Sequence, residues 1–160
     1  MPDAAGFEAF YRENLARIVR ACALVTLDVV LAEDVAAEAF ARLWSRWGQI
    51  RGDDHAGGFV FKTAMRLCGK ELRRRSRRAP AGTPEPDEMQ RALERHDVGR
   101  ALAALPLRQR QAVVLRDWAG FDTSEVARML GTKDSTVRVH LARGRQHLRD
   151  ALTVNGETDP

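Results

Sequence analysis

The chain has 160 residues, enough for one domain or two small ones. Its hydrophobic content of 44% supports a globular core, and an aromatic content of 6% favours Leu, Ala and Val packing on helices over a β-sandwich. Lys and Arg number 26 against 22 Asp and Glu, a net charge of +4 that permits a polyanionic partner without demanding one. The run from Ala21 to Leu31 is interrupted by Thr26 and Asp28 and is too short to span a bilayer. The opening residues do not read as a basic-then-apolar leader, so the expectation is a soluble, cytoplasmic protein without membrane insertion. Cys22 and Cys68 lie far apart in sequence with no Cys or His at ligand spacing, and are expected to be reduced packing residues.

Residues 7 to 25 predict a first helix, with Phe7, Phe10, Tyr11, Leu15, Ile18 and Leu24 at helical spacing. A second runs from about Val29 to Trp47, where Leu31, Val35, Ala39, Leu43 and Trp47 form one apolar stripe. Phe40 and Trp44 widen that stripe: either they finish the core or part of the aromatic surface faces a partner. Gln49 to Gly58 reads as a loop, signalled by Gly52, Asp53, Asp54, Gly57 and Gly58. A third helix follows from about Phe59 to Arg78. Eight of the seventeen residues from Lys62 to Arg78 are basic, against the single acid Glu71. Lys62, Arg66, Lys70, Arg73 and Arg77 make one stripe, joined by Arg74, Arg75 and Arg78. A one-signed stripe points to phosphate contacts, although a merely solvated basic face has the same pattern.

From Ala79 to Met89 three prolines and a glycine exclude a helix and predict a short, mildly acidic linker. The second half opens with a helix from about Gln90 to Leu105, then another with Pro106 in its first turn and Gly120 at its end. Asp122 to Arg143 reads as two helices about a tight turn. Asp122 and Glu125 have the spacing of a capping box, and Gly131 supplies the left-handed residue that ends the first of them. Val137, Leu141 and Leu148 face inward; Ser135, Arg138, Val139, Ala142 and Arg143 face outward. This is the pattern of a helix-turn-helix that reads the major groove, and equally that of a plain helical hairpin, so the rest of the chain must decide. A polar tail, residues 153 to 160, is expected to fray.

The expected fold is all-α: two small helical domains, residues 1–78 and 90–152, joined by the Pro-rich linker 79–89. No nucleotide-binding loop, catalytic triad or metal-ligand cluster is recognisable, which argues against an enzyme and for a chain without a cofactor. His55, His96, His140 and His147 are scattered, the last two read as surface or DNA-facing groups.

Taken together, the stretches Ala32–Trp44, Phe59–Leu67 with its Arg run, Ala101–Arg110 and Glu125–Arg145 resemble the extracytoplasmic-function sigma factors of bacterial RNA polymerase. The resemblance spans Phe7 to Leu152 and implies a promoter-specificity subunit with a region 2-like and a region 4-like domain. It implies that Asp34, Val35, Glu38, Phe40 and Trp44 dock on core RNA polymerase. The loop Asp53–Gly58 and Phe59 would open the minus-ten DNA and hold a flipped base, while Lys62, Arg66, Lys70, Arg73, Arg74 and Arg77 line the locally melted strands. Arg138, Val139, Ala142, Arg143 and Ser135 would read the double-stranded minus-thirty-five element. It further implies an anti-sigma factor as a partner. The family usually has Gln at the position of Ala37, Asn at that of Arg66 and often Trp at that of Phe59. A stand-alone helix-turn-helix regulator and a degenerate sigma-like interaction module are the two rival readings.

Overall fold

The computed structural model describes residues 3–50, 52–78 and 88–156. Helix α1 (Ala4–Thr26) begins at Asp3, whose carboxylate accepts the Gly6 N–H at 3.0 Å. It ends in Leu27, a non-glycine residue at φ 58°, whose N–H reaches Ala23 O. Asp28 then caps α2 (Val29–Arg46) by accepting from Leu31 N. Burial opposes its ionisation, but the Leu31 N–H and the Arg75 guanidinium hold the Asp28 carboxyl below its usual range. The tight α1–α2 turn leaves free backbone groups at Leu27 and Val29. Both are taken up by one distant side chain: Gln90 donates to Leu27 O and accepts from Val29 N, each at 2.9 Å.

Helix α3 (Asp53–Ser76) starts earlier than the sequence suggests. The expected loop to Gly58 is cut short because Gly52, at φ 85°, makes the turn by itself. Ala56 is then fully buried, and its N–H bonds back to Gly52 O, so Gly57 and Gly58 are carried inside the helix. Helices α1, α2 and α3 bury Ile18, Val25, Leu43, Val60, Phe61 and Met65 between them. At one end an aromatic cluster closes the bundle, with Phe7 4.9 Å from Trp44 and 5.4 Å from Trp47, and Tyr11 4.9 Å from Phe40. Cys22 and Cys68, unrelated in sequence, meet where α1 crosses α3. Both are free and fully buried, and the hydrogen bond from Cys68, with burial, pushes the Cys22 thiol up.

The linker expected over residues 79–89 lies outside the described residues up to 87; the chain is described again from α4 (Glu88–Arg95). One helix expected over 90–105 is two, because His96 adopts extended backbone at ψ 133° before α5 (Asp97–Ala103). Gly99 explains the fold-back: a Cβ there would stand 1.9 Å from Leu93 O, so only glycine lets the two helices approach. Pro106 is the cap of α6 (Leu107–Val113) rather than part of its first turn. The last turn widens to a π-type turn over Val114–Trp118, with Ala119 N bonding to Val114 O, and Gly120 at φ 84° ends it.

Helices α7 (Thr123–Leu130) and α8 (Asp134–Gly156) complete the chain. The tail expected to fray from residue 153 is helical to Gly156; residues 157–160 lie outside the described ones. Gly144 sits in mid-helix where a Cβ would meet Val113 Cγ2 at 2.9 Å, so α6 and α8 lie close. Leu102, Leu105, Val114, Leu115, Val126, Leu130, Val137 and Leu141 form the core of this half, continuous with that of the first three helices. The described residues contain helices and turns and no strand, as the apolar periodicity predicts. Among them no helix is long and apolar enough to cross a membrane.

Candidate nucleic-acid interface

The α7–α8 pair is built by local chemistry. Asp122 accepts from Glu125 N at 2.8 Å while Glu125 accepts from Asp122 N at 2.7 Å, a reciprocal capping box. Gly131, at φ 64°, ends α7, and Arg108 donates to the last carbonyl, Leu130 O, at 3.1 Å. Ser124 Oγ donates to Asp134 Oδ2 at 2.7 Å, tying the two helix starts together. Val137 and Leu141 are buried, which turns the opposite side of α8 outward. Ser135, Arg138, Val139, Ala142 and Arg143 are all exposed there, at helical spacing along one face. Neither Arg138 nor Arg143 is held by a carboxylate among the described residues, whereas Arg145, one step round the helix, is locked in a two-bond pair with Asp117. The free guanidiniums are those with a small-residue face between them, as groove entry requires.

His147 is exposed, as expected, whereas His140 departs from the surface role expected of it. His140 is half-buried beside Arg108 and Arg143, with Nδ1 enclosed and unpartnered, and His147 Nδ1 bonds to Gln109 Oε1 at 3.0 Å.

The second basic surface is α3. Arg66, Lys70, Arg73, Arg74 and Arg77 are exposed, with Phe59 and Lys62 half-buried at the helix start. The stripe is not uniform: Arg74 lies 3.5 Å from Glu71, and Arg75 bonds Asp28 at 2.5 Å. Arg66 and Arg73 carry no ion pair among the described residues.

The surface of α2 requires a correction. Val35 and Phe40, expected to touch a partner, are 3% and 2% exposed. Phe40 packs edge-on against Tyr11 and Phe10, because the three-helix bundle closes over that side of α2. Asp34, Glu38 and Trp44 stay exposed, Trp44 at 40%, with Ala37 exposed among them. Glu38 pairs with Arg42 at 2.8 Å.

The two basic helices are joined through a packed seam whose individual residues carry no mark in the sequence. Arg17 of α1 lies over the rings of Phe61 and Phe121 at 5.2 and 5.4 Å and donates to Ala119 O, and the two rings are 4.8 Å apart. Gln111 donates to Met65 O at 3.0 Å and Arg110 to Val25 O at 2.5 Å. With Gln90 on the α1–α2 turn, helices α4 to α7 are seated on α1 and α3.

The family models for Sigma-70 region 2 and Sigma-70 region 4 match residues 10–78 and 95–148. The sequence is 32% identical over 169 residues to the ECF RNA polymerase sigma factor SigL of Mycobacterium tuberculosis, covering 98% of this chain and 94% of that protein. The chain belongs to the extracytoplasmic-function sigma factors. It is an alternative sigma factor, the class of subunit that gives RNA polymerase its promoters. A longer relative, the probable RNA polymerase sigma factor RfaY of Xanthomonas campestris, is 30% identical over 89% of this chain, which spans 41% of it. In fold the sigma factor is similar to the sigma factor RpoE of Bartonella quintana, solved in complex with the anti-sigma factor NepR. The TM-score is 0.76 at 19% identity, over 93% of this chain and 98% of that one.

Proposed function

We propose that the two halves of this sigma factor divide promoter recognition between them. Residues 1–78 bind core polymerase and the minus-ten element, and residues 90–152 bind the minus-thirty-five element, across the linker 79–89. Core polymerase is met by the exposed side of α2, through Asp34, Glu38 and Trp44; Val35 and Phe40 serve by holding that side in place. Phe59 offers a stacking face to an unpaired base, and Lys62, Arg66, Lys70, Arg73, Arg74 and Arg77 follow the melted backbone. On α8, Arg138 and Arg143 reach guanine edges while Val139, Ala142 and Ser135 allow close approach to the groove. The protein works in the cytoplasm, does no covalent chemistry of its own, and is held in check by an anti-sigma factor, as its structural neighbour in Bartonella is found bound to one.

The observation that supports this reading is that, among the described residues, no carboxylate pairs with Arg138 or Arg143 on the outward face of a capped helix-turn-helix, nor with Arg66 or Arg73 on the other basic helix. Phosphate contacts from such groups give a sequence-blind attraction that weakens steeply with salt, and the few base contacts add specificity. Run-off transcription with purified core polymerase and promoter fragments tests it. Transcripts starting only when the protein is added are expected. A promoter shift without polymerase, over a dyad-symmetric site, would instead identify a stand-alone regulator.

A further inference from the structure

On the outward face of α8, between Arg138 and Arg143, one large apolar side chain is exposed. Val139 is 46% exposed, whereas Val137 and Leu141 on either side of it are 0% and 4% exposed and fill the core. One turn away on the same face stand Ser135 at i−4, Ala142 at i+3 and Arg143 at i+4, all exposed. Leu152 and Val154, the other large apolar side chains exposed on this helix, lie about 20 Å or more further along it. Val139 therefore belongs to no apolar patch on α8 of the kind that marks a protein–protein contact.

Singly exposed valines are common on protein surfaces, but two features set this one apart. Valine is a poor helix former, because its branched Cβ crowds the preceding turn, so an exposed helical site gains nothing from it. It is also flanked by two guanidinium groups, Arg138 and Arg143, with which no carboxylate pairs among the described residues. The flanking charge fits a polyanion, while Val139 itself offers that polyanion only an isopropyl group. In the major groove the bases present one substantial apolar group, the thymine C5 methyl. Set against guanine O6 and N7, adenine N6 and N7 or cytosine N4, an isopropyl group strips water from polar atoms and returns no hydrogen bond. Set against thymine, it buries a methyl group on a methyl group.

We propose that Val139 is a specificity-determining residue that reads a thymine methyl in the minus-thirty-five element. The proposal rests on the promoter reading above and adds to it the identity of one base. Residues four apart on a helix are separated by about 6 Å along its axis, against about 3.4 Å between successive base pairs. With the reach of the arginine included, the thymine lies within about three base pairs of the guanine that Arg143 contacts.

The test uses holoenzyme assembled from this chain and core polymerase, on a promoter fragment that gives protein-dependent run-off transcripts. Each thymine of the upstream element, on both strands, is replaced in turn by deoxyuridine, which removes the methyl and keeps the base pair. Competition binding should find one thymine whose replacement weakens the complex about fourfold, the worth of one buried methyl group. Holoenzyme carrying Val139→Ala should bind the thymine and deoxyuridine promoters alike, with helix content unchanged by circular dichroism. At the same position, 5-methylcytosine paired with guanine should bind more tightly than cytosine in the wild type, and no more tightly in Val139→Ala. The proposal is overturned if no thymine responds to loss of its methyl. It is equally overturned if the response keeps its size in Val139→Ala, which would assign the methyl to another side chain or to DNA shape. Failure of the promoter reading would appear earlier, as the absence of protein-dependent transcripts, and would remove this proposal with it.

Discussion

Arg143 stands on the outward face of α8 with no carboxylate to hold it among the described residues, so its guanidinium is available to a base edge. A bidentate contact of this kind contributes about 1–3 kcal/mol of discrimination. Arg143→Ala is therefore expected to relax preference at one position of the minus-thirty-five element while leaving affinity for core polymerase unchanged, as read by run-off transcription on a promoter series. Equal output from wild type and variant on every promoter would remove the assignment. One turn back, His140 titrates with a definite sign. Burial, then the neighbouring Arg108 and Arg143, holds its imidazole below the usual range. The unfolded chain takes up that proton near pH ~6.5 while the folded chain resists it. The stability this histidine contributes is present above about pH 6.5 and is lost as the pH falls toward the folded value. Melting temperatures between pH 7.5 and 5.5 should fall less in His140→Gln than in the wild type.

Among the elements, α7 depends most on its ends. Eight residues make a helix too short to stand alone, and the Asp122–Glu125 box is what answers its first N–H groups. Asp122→Ala should cost about 0.5–2 kcal/mol in urea unfolding and lower promoter-dependent transcription with it. The α4–α5 corner is more sensitive. Gly99→Ala would drive a Cβ against the Leu93 carbonyl, and main chain cannot swing aside as a side chain can. A loss of about 1–3 kcal/mol or more is expected in the same measurement. The contrast between these two elements shows what the sequence makes legible. Cap, glycine and apolar spacing in α7 and α8 are local, so reading them along the chain was enough. The break at His96 depends on a carbonyl meeting a glycine across a corner, and the early start of α3 depends on Ala56 finding a core. Neither has a local signal. Phe40 shows the same limit at the site: periodicity placed it on α2, but only the fit of Tyr11 and Phe10 over it decided that it faces inward.

At the scale of the molecule, the seam through Arg17, Phe61 and Phe121 joins the two halves into one continuous core. An arginine over aromatic faces contributes about 0.5–2 kcal/mol, and here one guanidinium serves two rings and a carbonyl. Arg17→Ala should loosen the seam without unfolding either half. The expected result is a larger radius of gyration in small-angle scattering, with helix content unchanged by circular dichroism. An unchanged radius would show that the apolar contacts hold the seam unaided. Beside it, Arg108 of α6 lines one cleft with Arg66 and Arg73 of α3, a meeting that could not be read from the sequence because nothing local says how the helices come together.

Four side chains that grip across that seam share one property. Arg17, Gln90, Arg110 and Gln111 each donate to a main-chain carbonyl, those of Ala119, Leu27, Val25 and Met65. Every residue type presents the same carbonyl, so the acceptor side of the junction is indifferent to mutation as long as the backbone stays in place. Inheritance of this packing then falls on the four donor side chains, while the carbonyls they grip leave their own side chains free to drift. A saturation scan should show that asymmetry: narrow tolerance at the four donors, at Ala119, Val25 and Met65 only the limits that packing imposes, and at Leu27 those of its left-handed backbone as well.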